Sequence, residues 1–191
     1  MKRTGVAAAH ALCGVRSASA PGGSVTNATI IPERPADGPA VEDLVTRSFG
    51  PERTRKTVYR LRAGVPPVPE LSFVAVGEDG ELLAAIRYWP VCIADTPAIL
   101  LGPLAVEPAI RGQGVGRRLV RHSLDAAVEH DHRICLVVGD PRYYLPYGFQ
   151  PAIPLGLILP GPVDPRRFQA AALVPGALDG VRGWVKRAAD G

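Results

Sequence analysis

The sequence predicts an α+β fold on one mixed sheet, antiparallel at its start and parallel at its centre. Three observations predict it. Leu71–Val76, Leu82–Trp89 and Ala98–Val106 are apolar runs joined by short turns, the spacing of an antiparallel meander. Gln113–His130 carries Val115, Leu119, Val120, Leu124, Ala127 and Val128 at helical spacing. The buried-strand run Arg133–Val138 follows, so strand, helix and strand form a β-α-β unit with a right-handed crossover and a parallel pair.

The remaining elements follow in order. Ala28–Ile31 reads as a first strand stopped by Pro32. Pro39 opens a helix through Ser48, with Val41, Leu44, Val45 and Phe49 on its apolar face. Glu52–Arg62 is a second, very basic helical segment. Gly64–Pro69 holds three prolines and is a loop. Glu78-Asp79-Gly80 and Ala94-Asp95-Thr96-Pro97 are turns. Pro141–Tyr147 is a short helical or turn segment, and Phe149 begins another strand region. Arg166–Val174 and Val181–Lys186 are the last strands.

Met1–Val25 stands apart. It contains no acid, and Lys2, Arg3 and Arg16 make it basic. Ala18-Ser19-Ala20 resembles a small-residue cleavage site, yet His10 interrupts a short apolar stretch. A disordered extension is expected over 1–25, with a targeting segment or a misplaced start as alternatives. One domain is expected over 26–191.

Bulk composition narrows the function. A chain of 191 residues buries a core without staples. Apolar residues make up 47% and charged residues 21%, as in a soluble, here cytoplasmic, globular protein. No apolar run approaches the ~18 residues of a membrane span. The net charge of +4 suits an anionic ligand such as a phosphorylated cofactor. It is too small to argue for nucleic acid, and no aromatic-interleaved basic stripe supports one. Cys13, Cys92 and Cys135 are too few and too scattered for a disulfide framework or a zinc set, and Cys92 and Cys135 read as core residues. His130-Asp131-His132 has no third ligand in sequence, so no metal is expected; His122 is placed on the exposed helix face.

The chemistry concentrates in Arg111-Gly112-Gln113-Gly114-Val115-Gly116, between a strand and a long helix. Its glycines let the backbone turn sharply and approach a ligand. The first amides of the following helix have no intrahelical partner, and with the helix dipole they suit phosphate. Arg111, Arg117 and Arg118 add positive charge. A nucleotide P-loop would end in Gly-Lys-Ser/Thr, but Gly116 is followed by Arg117 and Arg118. The dinucleotide fingerprint fails because Arg117 takes its last glycine position.

What remains resembles the acyl-CoA-binding turn of the GNAT N-acetyltransferase superfamily, Gln/Arg-x-x-Gly-x-Gly/Ala, matched at Arg111, Gly114 and Gly116. Leu101-Gly102-Pro103-Leu104-Ala105-Val106-Glu107-Pro108 is similar to that family's fourth strand. Gly139-Asp140-Pro141-Arg142-Tyr143-Tyr144, followed by Gly148-Phe149, resembles its Tyr-x-x-x-Gly-Phe segment. Many members instead carry Asn at the end of the fifth strand and a fuller helix, which Pro146 interrupts here.

The resemblance implies the GNAT acyl-CoA N-acyltransferase fold and acetyl-CoA as co-substrate, with no metal. It implies that Leu104, Ala105 and Val106 meet the pantetheine arm through backbone atoms, as an added strand would. Arg111, Gly112, Gln113, Gly114, Val115, Gly116 and Arg117 would hold the pyrophosphate. The Val106 amide would face the thioester carbonyl, and Tyr144 would stand near the sulfur and protonate it. Glu107, Asp140 or a chain of waters would serve as base. The acceptor is a primary amine of a small molecule or protein, entering between Pro39–Arg62 and Pro151–Val174. A homodimer is compatible with the family. The alternative is a non-catalytic acyl-CoA-binding module; a nucleotide-binding protein is the third reading.

Overall fold

The computed structural model describes residues 27–188, so the expectation for Met1–Val25 lies outside the described residues. The elements are β1 (Thr29–Pro32), α1 (Gly38–Phe49), α2 (Thr57–Arg62), β2 (Phe73–Val76), β3 (Leu82–Ile93), β4 (Thr96–Val106), α3 (Val115–Glu129), β5 (Ile134–Val138), α4 (Pro141–Tyr144), β6 (Gln150–Pro151), β7 (Leu157–Ile158), β8 (Phe168–Ala172) and β9 (Gly183–Arg187).

The sheet runs β1-β2-β3-β4-β5-β8-β6, with β9 pairing both β3 and β7. β2 to β4 form the antiparallel meander, β1 adds antiparallel to β2, and β4 pairs β5 in parallel across the α3 crossover. This is the mixed α+β sheet that the periodicity predicts. Helix α3 lays Val115, Leu119, Val120, Leu124 and Ala127 against one core, and Ser123 is buried among them, sharing a 2.7 Å hydrogen bond with Tyr88. Helix α1 packs Val41, Leu44 and Val45 against Val74, Leu82, Ala85 and Ala105 in another core.

Several boundaries differ from the sequence reading. Val128 is 44% exposed, not core. At 100° per residue it falls past the edge of the buried stripe, beyond Leu124. Phe49 is 42% exposed because its ring lines a cavity rather than the core. Cys135 is fully buried as expected, whereas Cys92 is only half-buried. His122 is exposed, with its ring edge-on to Phe73 at 4.7 Å.

Strand β3 runs on through Pro90 to Ile93, beyond the expected end at Trp89. The Tyr88 carbonyl accepts from Val68 N–H, so alternation turns the imino nitrogen of Pro90 away from β4, where no ladder bond is lost. Past Pro90, Val91–Ile93 pair with β9. The basic segment is not one helix: a 3-10 turn, Pro51–Arg55, precedes extended Lys56 (ψ 146°) and then α2. Buried Thr57 donates to the Pro162 carbonyl at 2.6 Å, and this tether redirects the chain.

Candidate active site

The parallel pairing of β4 with β5 stops at Leu101↔Val137. Beyond it β4 stays on β3 through Val106↔Ala84, with a bulge at Gly102-Pro103 opposite Arg87. The two parallel strands therefore splay, and the β5 side of β4 is left without a strand partner. Glu107 N–H donates to the Leu83 carbonyl on the β3 side. Backbone groups alternate along a strand, so the polar groups of Val106 and Leu104 face the opening. The Val106 carbonyl accepts from Arg111 Nε at 3.2 Å, which agrees with that direction.

The glycine turn closes the far end of the opening. Gly112 and Gly114 have φ of 84° and 87°, which only glycine adopts without strain. Gly114 caps α3 with no side-chain bond, so the first amides of the helix stay available to an anion. A Cβ on Gly116 would lie 2.9 Å from the Tyr143 hydroxyl and 3.0 Å from Val106 Cγ2. Glycine is thus what lets α3 seat against both β4 and α4. The side chain of Val115 is core, so only its backbone faces outward. Arg111, Gly112, Gln113 and Arg117 are exposed. Arg118, expected beside the turn, instead donates to the Ala28 carbonyl at 2.7 Å and ties down β1.

A cavity of about 530 Å³ opens from the splay. Leu104 and Tyr144 line it, together with Phe49, Tyr59, Arg62 and Asp140. Ala105, Val106 and the Arg111–Arg117 turn lie outside it. Tyr144 is 7% exposed and stacks edge-on to Tyr143 and Phe149 at 5.0 and 5.5 Å. Burial raises the Tyr144 phenol above its usual range, and it pushes Tyr143 up to about 12. Asp140 caps α4 by accepting from Arg142 N–H at 2.9 Å. Glu107 does not reach the cavity: it is ion-paired to Arg47 at 3.0 Å.

A gap between parallel strands, a glycine turn on a helix start and a buried tyrosine at the gap form one constellation. The Acetyltransferase (GNAT) family model matches residues 38–143. The chain belongs to the GNAT acetyltransferase family. It is 33% identical over 156 residues to the uncharacterized N-acetyltransferase YhbS of Escherichia coli, covering 81% of this chain and 92% of that protein. The crystal structure of YhbS in complex with CoA superposes with a TM-score of 0.74 at 31% identity, covering 89% of this chain and 93% of that one. A GNAT acetyltransferase from Brucella melitensis in complex with acetyl-CoA gives a TM-score of 0.62 at 28% identity over 85% and 97%.

Two residues of this acetyltransferase's site escape sequence reasoning. Tyr143 resembles a packing partner of Tyr144 in sequence, yet it bridges α4 to Gly116. Arg62 hides in a basic stretch; its guanidinium lies over the rings of Tyr59 and Trp89, 4.8 Å from each centroid. The only sequence signal for it is the three-residue spacing from Tyr59, which puts both on one helix face. No helix among the described residues is long and apolar enough to cross a membrane.

Proposed function

We propose that the protein transfers the acetyl group of acetyl-CoA to a primary amine by direct attack. The observation that carries this reading is the splay of β4 from β5 beside the Gly112–Gly116 turn. The CoA and acetyl-CoA complexes of similar acetyltransferases support the choice of donor. The reading takes 26–191 as one catalytic domain, in keeping with the unbroken sheet path from β1 to β6.

In this reading the pyrophosphate rests on the amides and charges of Arg111, Gly112, Gln113, Gly114, Val115, Gly116 and Arg117. The pantetheine arm lies along Leu104, Ala105 and Val106 as a surrogate strand, and it takes the Val106 carbonyl from Arg111 Nε. The amine nitrogen attacks the thioester carbonyl carbon. The resulting oxyanion faces the Val106 N–H, whose direction away from β3 suits that role. The carbon–sulfur bond breaks, and Tyr144 gives its proton to the sulfur. The raised Tyr144 phenol holds that proton at working pH. The ammonium proton of the adduct passes to Asp140, directly or through water, because Asp140 is the carboxylate that lines the cavity beside Tyr144. The products are an amide and the CoA thiol.

The test is thiol release from acetyl-CoA with a panel of amines, followed by mass spectrometry of a cell extract supplied with labelled acetyl-CoA. Amine-dependent thiol release with a matching acetylated product is the expected result. Tight CoA binding with no thiol release for any amine would replace this reading with a non-catalytic acyl-CoA-binding module.

A further inference from the structure

The charges of the cavity do not balance. Its lining carries Arg53, Arg55, Lys56, Arg62 and Arg167 against only Asp140 and Asp164. Arg53 and Arg55 are committed to Glu42 and Glu52, at 3.2 and 2.5 Å. Asp164 is turned to Arg166, whose N–H it accepts at 3.0 Å. Arg62, like Arg53, has its Nε sealed from solvent with no hydrogen-bond partner, but unlike Arg53 it makes no ion pair among the described residues. Glu42, the carboxylate that acts on it, is already bonded to Arg87 at 2.7 Å and to Arg53 at 3.2 Å. Tyr59 and Trp89 supply ring faces that attract the charge, and Tyr59 also acts on it as a side-chain hydrogen-bond partner, which leaves the Nε–H unmatched. Burial lowers the guanidinium to about 10, against the favourable pull of Tyr59, so it is a cation at neutral pH.

Its position is equally specific. Arg62 Nη2 lies against Gly102: a Cβ there would be 3.1 Å from it. Gly102 is the first residue of β4 beyond the last β5 pair, Leu101↔Val137. The cation therefore stands at the root of the splay, at the opposite end of the opening from the Gly112–Gly116 turn. A desolvated cation without a counter-anion is costly, and such groups persist where a ligand supplies the anion.

We infer that Arg62 anchors a carboxylate of the acceptor, so that the substrate class is primary amines that also carry a carboxylate. This rests on the acetyl-transfer reading of the same cavity. The guanidinium fork matches a planar carboxylate with two parallel hydrogen bonds. The missing side chain at Gly102 is what lets the fork reach the gap.

The experiment titrates CoA-loaded protein calorimetrically with free amino acids, each against its own carboxamide, and with phosphoethanolamine against ethanolamine. Thiol release from acetyl-CoA is then measured on the same compounds. Wild type is expected to bind at least one amino acid tenfold or more tightly than its carboxamide. In Arg62→Gln that ratio falls to near one, with KM raised more than kcat lowered, and Arg62→Lys recovers part of it. An unchanged melting shift with CoA shows that each variant folds, and Arg62→Met, which keeps the packed stem, repeats the measurement if Arg62→Gln does not fold. Equal affinity for every acid and its carboxamide, no binding of either, a preference confined to phosphoethanolamine, or a preference that survives in Arg62→Gln would each overturn the inference. Carboxylate-specific binding without thiol release would retain the anchor and remove the acetyl-transfer reading.

Discussion

The ring of Tyr144 fills the space that a side chain at Gly139 would need. A Cβ built on Gly139 would overlap Tyr144 Cε2 and lie 3.2 Å from Cζ. The glycine at the end of β5, where relatives in the superfamily often carry Asn, is thus the condition for placing this tyrosine at the splay. Tyr144→Phe is expected to lower kcat by about 10²-fold, the scale of a lost general acid, with CoA affinity unchanged. Gly139→Asn should lower kcat comparably by displacing the ring and should cost about 1–3 kcal/mol of stability through overpacking. An unaltered kcat in Tyr144→Phe would remove the hydroxyl from the mechanism.

Gly116 makes a second such contact. Its missing Cβ leaves 2.9 Å to the Tyr143 hydroxyl and 3.0 Å to Val106 Cγ2. Gly116→Ala is expected to weaken CoA binding about tenfold, or about 1.4 kcal/mol, by pushing α3 away from β4. Adding Tyr143→Phe removes one of the two obstructing atoms and should restore part of the loss. Calorimetric titration of CoA into the single and double variants measures both effects, and full affinity in Gly116→Ala would show that the close approach is not needed.

Alkaline pH should expose the buried acids. Burial raises the phenols of Tyr88, Tyr143 and Tyr144 above their usual 10.0, and the thiol of Cys135 above 9.0. While folded and unfolded chains both hold these protons, the groups do not change stability with pH. As pH rises through the unfolded values the unfolded chain ionises first, so stability falls from about pH 9 upward. Urea midpoints should therefore be level in these groups' contribution up to that pH and drop beyond it. Tyrosinate absorbance should show Tyr88 and Tyr144 ionising only on unfolding, and Tyr143 and Tyr147 titrating above the usual phenol range in folded protein; titration of every tyrosine near the usual value in folded protein would contradict the burial argument.

Arg87 joins the first strand to the helical layer. It donates to Glu33 through Nε at 2.8 Å and Nη2 at 2.5 Å, and both side chains are 10% exposed. Its bond to Glu42 adds less, because Glu42 is 56% exposed. Arg87→Met leaves the desolvated Glu33 carboxylate unpaired and is expected to cost about 3–5 kcal/mol, and Glu33→Met should cost less because Arg87 keeps its bond to Glu42. The double change Arg87→Met with Glu33→Met should cost less than the two single changes summed, which chemical denaturation of all three variants resolves.

The architecture was legible because period-2 and period-3.6 burial are written directly into the chain. The meander and the α3 crossover follow from runs such as Ala98–Val106 and Val115–Ala127, and the phosphate-like turn from its glycines. Boundaries were less legible where a distant partner decides them. Pro90 reads as a strand end until the Val68–Tyr88 bond shows that its missing N–H faces away from β4. Lys56 reads as helix until the Thr57–Pro162 bond breaks the segment in two.

Within the site, Tyr144 was recoverable from its spacing to Gly148-Phe149, whereas Arg62 was not. Its environment is assembled from Trp89 on β3 and Gly102 on β4, residues remote in sequence. Glu107 shows the converse: beside Val106 in the chain, it is held by Arg47 from α1 and does not line the cavity.

By itself the sequence determined the fold class, the order of elements and the glycine turn at the start of α3, because those depend on local periodicity and backbone freedom. The tertiary structure alone decided which of many arginines is left without a counter-charge at the splay. Desolvation and pairing belong to the folded environment of a side chain, and only packing brings Glu42 to Arg87 and leaves Arg62 facing Gly102.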